Sequence, residues 1–142
     1  MREFGERMIG EGVDGRRASE GECGFPYGRS TSSDSVICRG VPDREDVLRS
    51  GQIVNLDITL EKNGSIADSS TTYLVGEVAY AARKLVTVAY QAMWKGIAAV
   101  RPGARLGDIG HAIARHARSH GYSGVKEYCG HGIGQEMHED PQ

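Results

Sequence analysis

The stretch that decides the fold is IVNLDITLEKNGSIADSSTTYLV, residues 53–75. Its first half is rich in β-branched residues and alternates. Val54, Leu56, Ile58 and Leu60 fall on one face, and Asn55, Asp57 and Thr59 fall on the other, which is the period of a half-buried strand. Asn63–Gly64 supplies the dipeptide that a type I′ turn demands, because both central residues need positive φ. The spacing predicts a hairpin whose return strand runs from Ser65 to Val75 and is closed by Gly76. If Lys62 faces Ser65 across the turn, Asp57 lies opposite Ser70 and diagonal to Asp68, with Cβ atoms about 7–8 Å apart on one face. Two carboxylates that close repel when both are ionised, so each would hold a raised pKa or the pair would share a cation. A hard divalent ion makes such a pair tolerable and takes oxygen ligands with one or two imidazoles. The plainer alternative is two solvated aspartates on an open sheet face.

Downstream, Leu85, Ala89, Ala92, Met93, Ile97 and Val100 recur at three- and four-residue spacing. They predict an amphipathic helix between Tyr80 and Val100 that Pro102–Gly103 stops. Leu106, Ile109, Ile113 and Ala117 repeat the pattern as far as Gly121, a helix-ending glycine. Val125–Tyr128 reads as a short strand leading into Cys129–Gly130–His131–Gly132–Ile133–Gly134. A histidine between two glycines sits where the backbone can bend sharply and a ligand can approach closely, a setting that suits a metal or catalytic histidine more than a structural one. Asp57, Asp68 and His131 together form a metal-hydrolase inventory, able to hold one or two ions and activate a water. His138–Glu139 adds a polar pair near the end, where Asp140–Pro141–Gln142 has no helix or strand to tie it down.

Other histidines read differently. His116 and His120 have the i,i+4 spacing of a zinc clamp, but neither they nor His111 have an acidic third ligand beside them, and a solvated helix face is the reading. Met93 and Trp94 read as core and helix-rim residues, and Cys23, Cys38 and Cys129 as small buried fillers or incidental thiols.

Upstream, residues 1–35 interleave glycines with Arg and Glu and then run through Ser and Thr from Ser30 to Ser35. No period of 2 or 3.6 appears there, which predicts a loosely ordered lead-in ahead of a domain over residues 36–142. Val36–Ile37–Cys38 is a short strand candidate, and Val41–Pro42–Asp43 begins a turn.

A polypeptide of 142 residues with 17 basic and 19 acidic side chains makes one domain or part of one, with no basic excess to attract DNA or an anionic membrane. No apolar run approaches the ~18–20 residues that span a bilayer, and the N-terminus lacks a signal-peptide core, so a cytoplasmic home is expected. Three cysteines without a CxxC argue against a disulfide framework.

The run CRGVPD, then GQIVNLDITLEKNGSIADSSTTYLVGE, then RPGARLGDIG and EYCGHGIGQEMHEDPQ, resembles type I methionine aminopeptidases over residues from about Gly24 to Gln142. The resemblance implies an α/β (α+β) fold: part of a pita-bread domain, with an antiparallel hairpin sheet and two helices packed on one face. It implies a hydrolase, a metallo-aminopeptidase that removes the N-terminal methionine from nascent peptides in the cytoplasm, with the ribosome as a candidate partner. The family's site holds two divalent ions (Mn, Fe, Co or Zn) among two aspartates, one histidine and two glutamates. Asp57, Asp68 and His131 match three of these metal ligands. His138 matches a second active-site histidine that contacts substrate near the scissile bond and serves as the catalytic residue here. Phe25 and Met137 match apolar residues of the methionine pocket. Arg39 stands where the family's substrate-contacting histidine is expected; a guanidinium donates hydrogen bonds but exchanges no proton near neutral pH. Both glutamates, one of them the general base, are expected beyond Gln142. The expectation is therefore an incomplete site in a sequence truncated on its C-terminal side. Two alternatives follow: a catalytically inactive member that binds peptides or the ribosome, or a non-functional fragment.

Overall fold

The structure, a computed structural model, describes residues 14–19, 29–43 and 45–142. Phe25 and Cys23 lie outside the described residues. The protein divides into two compact units, Met1–Val78 with Gly130–Gln142, and Ala79–Cys129.

The first unit is built on the predicted hairpin. Strand β3 (Ile53–Lys62) and strand β4 (Ser65–Leu74) pair antiparallel, with Lys62 opposite Ser65. Asn63 and Gly64 take φ of 53° and 75°, the two positive values that the turn requires. Strand β3 is the central one, since β1 (Arg16–Arg17) and β2 (Arg29–Ser33) pair with separate stretches of it while β4 runs along its whole length.

Strand β2 corrects the sequence reading, because it falls inside the supposedly loose lead-in. Its alternation is real but is carried by hydroxyls: Ser30 and Ser32 are buried, and Thr31 and Ser33 are half-buried. A hydrophobic-periodicity test cannot see serines. Val36–Cys38 forms no strand. After β2 the backbone turns at Asp34, whose carboxylate accepts from the Ile53 N–H at 3.1 Å and from Gln52 Nε2 at 2.8 Å. Val36 and Ile37 are left exposed, and Cys38 is half-buried.

The second unit is a helical hairpin of α1 (Tyr80–Ala98) and α2 (Leu106–Ser119). Val88, Ala92 and Gly96 are the buried positions of α1, one per turn. The helices meet at Gly96, where a Cβ would lie 2.8 Å from the Ile113 side chain and 3.3 Å from that of Ile109. At the start of α2 the Arg105 N–H donates to Asp108 Oδ2 at 2.9 Å, half of a capping box. At its end the Gly121 N–H donates to the Arg118 carbonyl and the Tyr122 N–H to the Ala117 carbonyl, both at 3.0 Å, a Schellman closure around the predicted glycine. Val125–Tyr128 is not a strand, and Val125 and Tyr128 are exposed. Met93 and Trp94 are about half exposed rather than core, with Trp94 packed edge-on to Tyr90. Cys129 is exposed, so neither it nor half-buried Cys38 is a core filler. Among the described residues no helix is long and apolar enough to cross a membrane.

Candidate functional site

The polar face of the β3–β4 hairpin is a ladder of short hydrogen-bonding side chains. Asn55 Nδ2 donates to Thr72 Oγ1 at 3.1 Å, and Asn55 Oδ1 accepts from Ser70 Oγ at 3.0 Å. Further along, buried Thr59 donates through Oγ1 to Asp68 Oδ1 at 2.8 Å. Asp57 faces Ser70 and Thr59 faces Asp68, so the two aspartates are diagonal neighbours on one face, close enough for their carboxyls to interact. Burial, the Asp68 charge and hydrogen bonding toward the Asp68 carboxyl together hold Asp57 above the ordinary value of 3.8, with the Arg39 charge opposing them.

The imidazoles come from residues 130–142, which fold back on this unit. The Gly132 N–H donates to the carbonyls of Glu139 at 2.8 Å and Pro141 at 3.0 Å, and the Glu139 N–H returns to the Gly132 carbonyl at 2.9 Å. Glu139 Oε1 accepts from the N–H groups of Gln135 at 2.8 Å and Glu136 at 2.9 Å. The expected second polar contact at Glu139 is therefore a loop closure, and the supposedly untied terminus is tied down. A Cβ at Gly132 would lie 2.4 Å from the Asp140 carbonyl oxygen, so the loop closes because residue 132 has none. The Ile66 N–H donates to the Gly134 carbonyl at 2.7 Å and stitches this loop to β4.

Loop closure brings the His131 and His138 rings to 4.5 Å in an edge-on arrangement. His131 Nδ1 lies 2.9 Å from the Gly132 carbonyl oxygen. A carbonyl can only accept, so Nδ1 carries the proton and Nε2 is the basic nitrogen, the tautomer that metal-ligating imidazoles use.

Asp57, Asp68, His131, Met137, His138 and Arg39 line one cavity of about 160 Å³, with Ser30 and Thr59 also in its wall. Six of the seven sequence-derived site residues thus share one cavity, and Phe25 lies outside the described residues. The sequence reading missed Ser30, whose only signal was an alternation of hydroxyls. Among the described residues no three His, Cys, Asp or Glu side chains converge closely enough to enclose an ion. The donors nevertheless suit one as a partial set: two neighbouring carboxyls and an oriented imidazole are what Mn, Fe, Co or Zn accepts, and a bound cation would offset the repulsion between the carboxyls.

The helical hairpin carries none of this chemistry. Leu85, Ala89, Met93, Ile97, Ile109 and Ile113 line an apolar groove of about 460 Å³ there. His116 Nε2 contacts Gln91 Oε1 at 3.2 Å, and its ring lies 4.4 Å from that of His120 on the outer face.

Comparison with known proteins gives the family and the fold. The sequence model of metallopeptidase family M24 matches residues 3–142, and the chain belongs to that family. It is 48% identical over 118 residues to a methionine aminopeptidase of Rickettsia prowazekii, covering 83% of this chain and 45% of the relative. It is 46% identical over 112 residues to methionine aminopeptidase B of Synechocystis, covering 79% of this chain and 41% of the relative. The crystal structure of the Rickettsia prowazekii methionine aminopeptidase superposes with a TM-score of 0.93 at 42% identity, over 99% of this chain and 56% of that one. The expected partial pita-bread fold is therefore the fold observed. The chain spans about half the length of the curated relatives it matches.

Proposed function

We propose that this protein supplies metal-binding and substrate-binding residues of an aminopeptidase that removes N-terminal methionine from nascent peptides in the cytoplasm. The observation that carries this reading is the Asp57–Asp68 carboxyl pair sharing one cavity with His131 and His138. Asp57, Asp68 and His131 would hold divalent ions, which supply Lewis acidity toward the scissile carbonyl and a nucleophile at neutral pH.

The remaining work falls to the protein. Thr59 fixes one Asp68 oxygen and so sets which oxygen stays free for a ligand. His138, edge-on to His131, would hold or give a proton at the oxygen that develops charge. Met137, with Phe25, would hold the methionine side chain, whose soft thioether binds by dispersion and burial. Arg39 contributes a fixed charge and no proton transfer. That property favours a second reading, a non-catalytic peptide-binding module that holds the same ligands without turning them over.

Mn²⁺ titration followed by NMR line broadening tests the reading. Broadening should begin at Asp57, Asp68, His131 and His138 and weaken sharply in Asp68→Ala. Broadening that begins at His116 and His120 and survives that substitution would refute it. Release of methionine from a methionyl tripeptide, assayed alongside, separates the enzyme from the binding module.

A further inference from the structure

The cavity contains one group that neither the fold nor the metal ligands explain. Arg39 takes a φ of 53°, a left-handed conformation that crowds the Cβ of any residue but glycine. The neighbouring backbone enforces it. The Gly40 carbonyl accepts from the Thr31 N–H at 2.9 Å, and the Gly40 N–H donates to Ser32 Oγ at 3.1 Å. A Cβ on Gly40 would lie 2.1 Å from the Thr31 carbonyl oxygen, so the turn is pressed flat against β2. The pinned turn carries an exposed guanidinium to the rim of the cavity that holds Asp57, Asp68 and His138. Among the described residues that guanidinium makes no hydrogen bond and no ion pair. In the same cavity wall Ser30, 7% exposed, has a hydroxyl oxygen with no partner among the described residues. Both residues line the same small cavity with hydrogen-bonding capacity that no described group uses.

We propose that Arg39 is a specificity-determining residue that makes the site prefer methionyl peptides bearing a carboxylate next to the scissile bond. The inference rests on the reading above, that this cavity takes an N-terminal methionine. A planar fork of donors held at a fixed position is suited to a carboxylate, and its charge is free of protonation equilibria near neutral pH. The cavity, of about 160 Å³, has room for the groups that lie next to the scissile bond. Two residues of extended peptide span about 7 Å, so the carboxylate comes from the C-terminus of a dipeptide or from an acidic second side chain. Either source presents the same two oxygens to the same fork.

Binding of three peptides to the 142-residue protein, measured by NMR shift titration with and without Mn²⁺, decides the matter. Met-Ala carries the α-carboxylate, Met-Glu-amide carries only the side-chain carboxylate, and Met-Ala-amide carries neither. At least one of the first two should bind roughly two- to fivefold more tightly than Met-Ala-amide, the range for a charge-assisted contact near solvent. Which of them does so identifies the source. The preference should fall with added salt, collapse to about onefold in Arg39→Gln, and partly persist in Arg39→Lys. Equal binding of all three peptides by the wild-type protein, or a preference that survives Arg39→Gln, overturns the assignment of Arg39 and leaves the methionyl-peptide reading standing. Absence of binding by all three overturns both.

Discussion

The two units of this protein spend their side chains in opposite ways. The helical hairpin buries an apolar seam, closes at Gly96 against Ile109 and Ile113, and leaves its histidines on the outside. The sheet unit has only Val54 and Val78 as buried apolar side chains among its described residues, and it gives one sheet face to hydroxyls, amides and carboxyls. A seam held by shape tolerates changes in polarity at its rim and resists changes in volume. A face held by directed hydrogen bonds responds to the loss of a single donor, because the partner left behind is desolvated and unmet. Chemistry collects on the second kind of surface because only there are charged groups already held at fixed positions.

The largest expected effect follows from close backbone approach in the sheet unit. Gly132→Ala puts a Cβ 2.4 Å from a backbone oxygen that cannot retreat without opening the 132–141 loop. It should destabilise this unit by about 2–3 kcal/mol, at the upper range for overpacking, and separate the His131 and His138 resonances. Helical circular dichroism from α1 and α2 should survive. Loss of both together would mean that the two units do not respond as differently as their contacts suggest.

Gly96→Ala is the matching change in the helical unit. The side chain that it meets, Ile113, is apolar and can rotate, so the cost should be smaller, about 1 kcal/mol. Hydrogen exchange along α1 and α2 would report it, with the polar face of β3 unaffected.

How legible each unit was in the sequence follows from the same contrast. Leu85, Ala92, Ile97, Ile109 and Ile113 announced both helices because apolar period is what such tests detect. The hairpin was legible for two independent reasons, alternation along residues 53–60 and the Asn63–Gly64 turn, and the register placed Asp57 and Asp68 on one face. Strand β2 was not legible, because Ser30 and Ser32 are buried by pairing with β3 rather than by their own hydrophobicity. The loop-closing role of Glu139 was not legible for a related reason: its carboxylate serves backbone N–H groups three and four residues away, a local closure that composition does not encode.

Ser30→Ala gives a smaller and opposite effect. Its hydroxyl oxygen is buried without a partner, so removing it should stabilise the sheet unit by up to about 1 kcal/mol in the absence of ligand. A chemical-denaturation midpoint that falls instead would show that the hydroxyl is satisfied in solution.

The pH dependence is subtler and carries a definite sign. Asp57 is held above its ordinary value in the folded state, so folding favours its protonated form. Its contribution to stability is fully present below about pH 3.8 and is lost as pH rises through the raised folded value. Asp57→Asn removes that loss, and its thermal midpoint relative to wild type should improve between pH 4 and pH 7 in metal-free buffer. Mn²⁺ should stabilise the wild-type protein and not the variant.

Two carboxyls in contact that a cation can occupy are the heart of the site, and the ¹³C carboxyl resonance of Asp57 reports on them directly. Followed against pH without metal, it should titrate above 3.8 and return toward the ordinary value in Asp68→Asn, where one source of charge repulsion is gone. Added Mg²⁺, a diamagnetic divalent probe, should drive the wild-type midpoint down, since a bound cation favours the ionised form. An Asp57 midpoint at the ordinary value, indifferent to both Asp68 and divalent ion, would contradict the paired-carboxyl centre on which the functional reading stands.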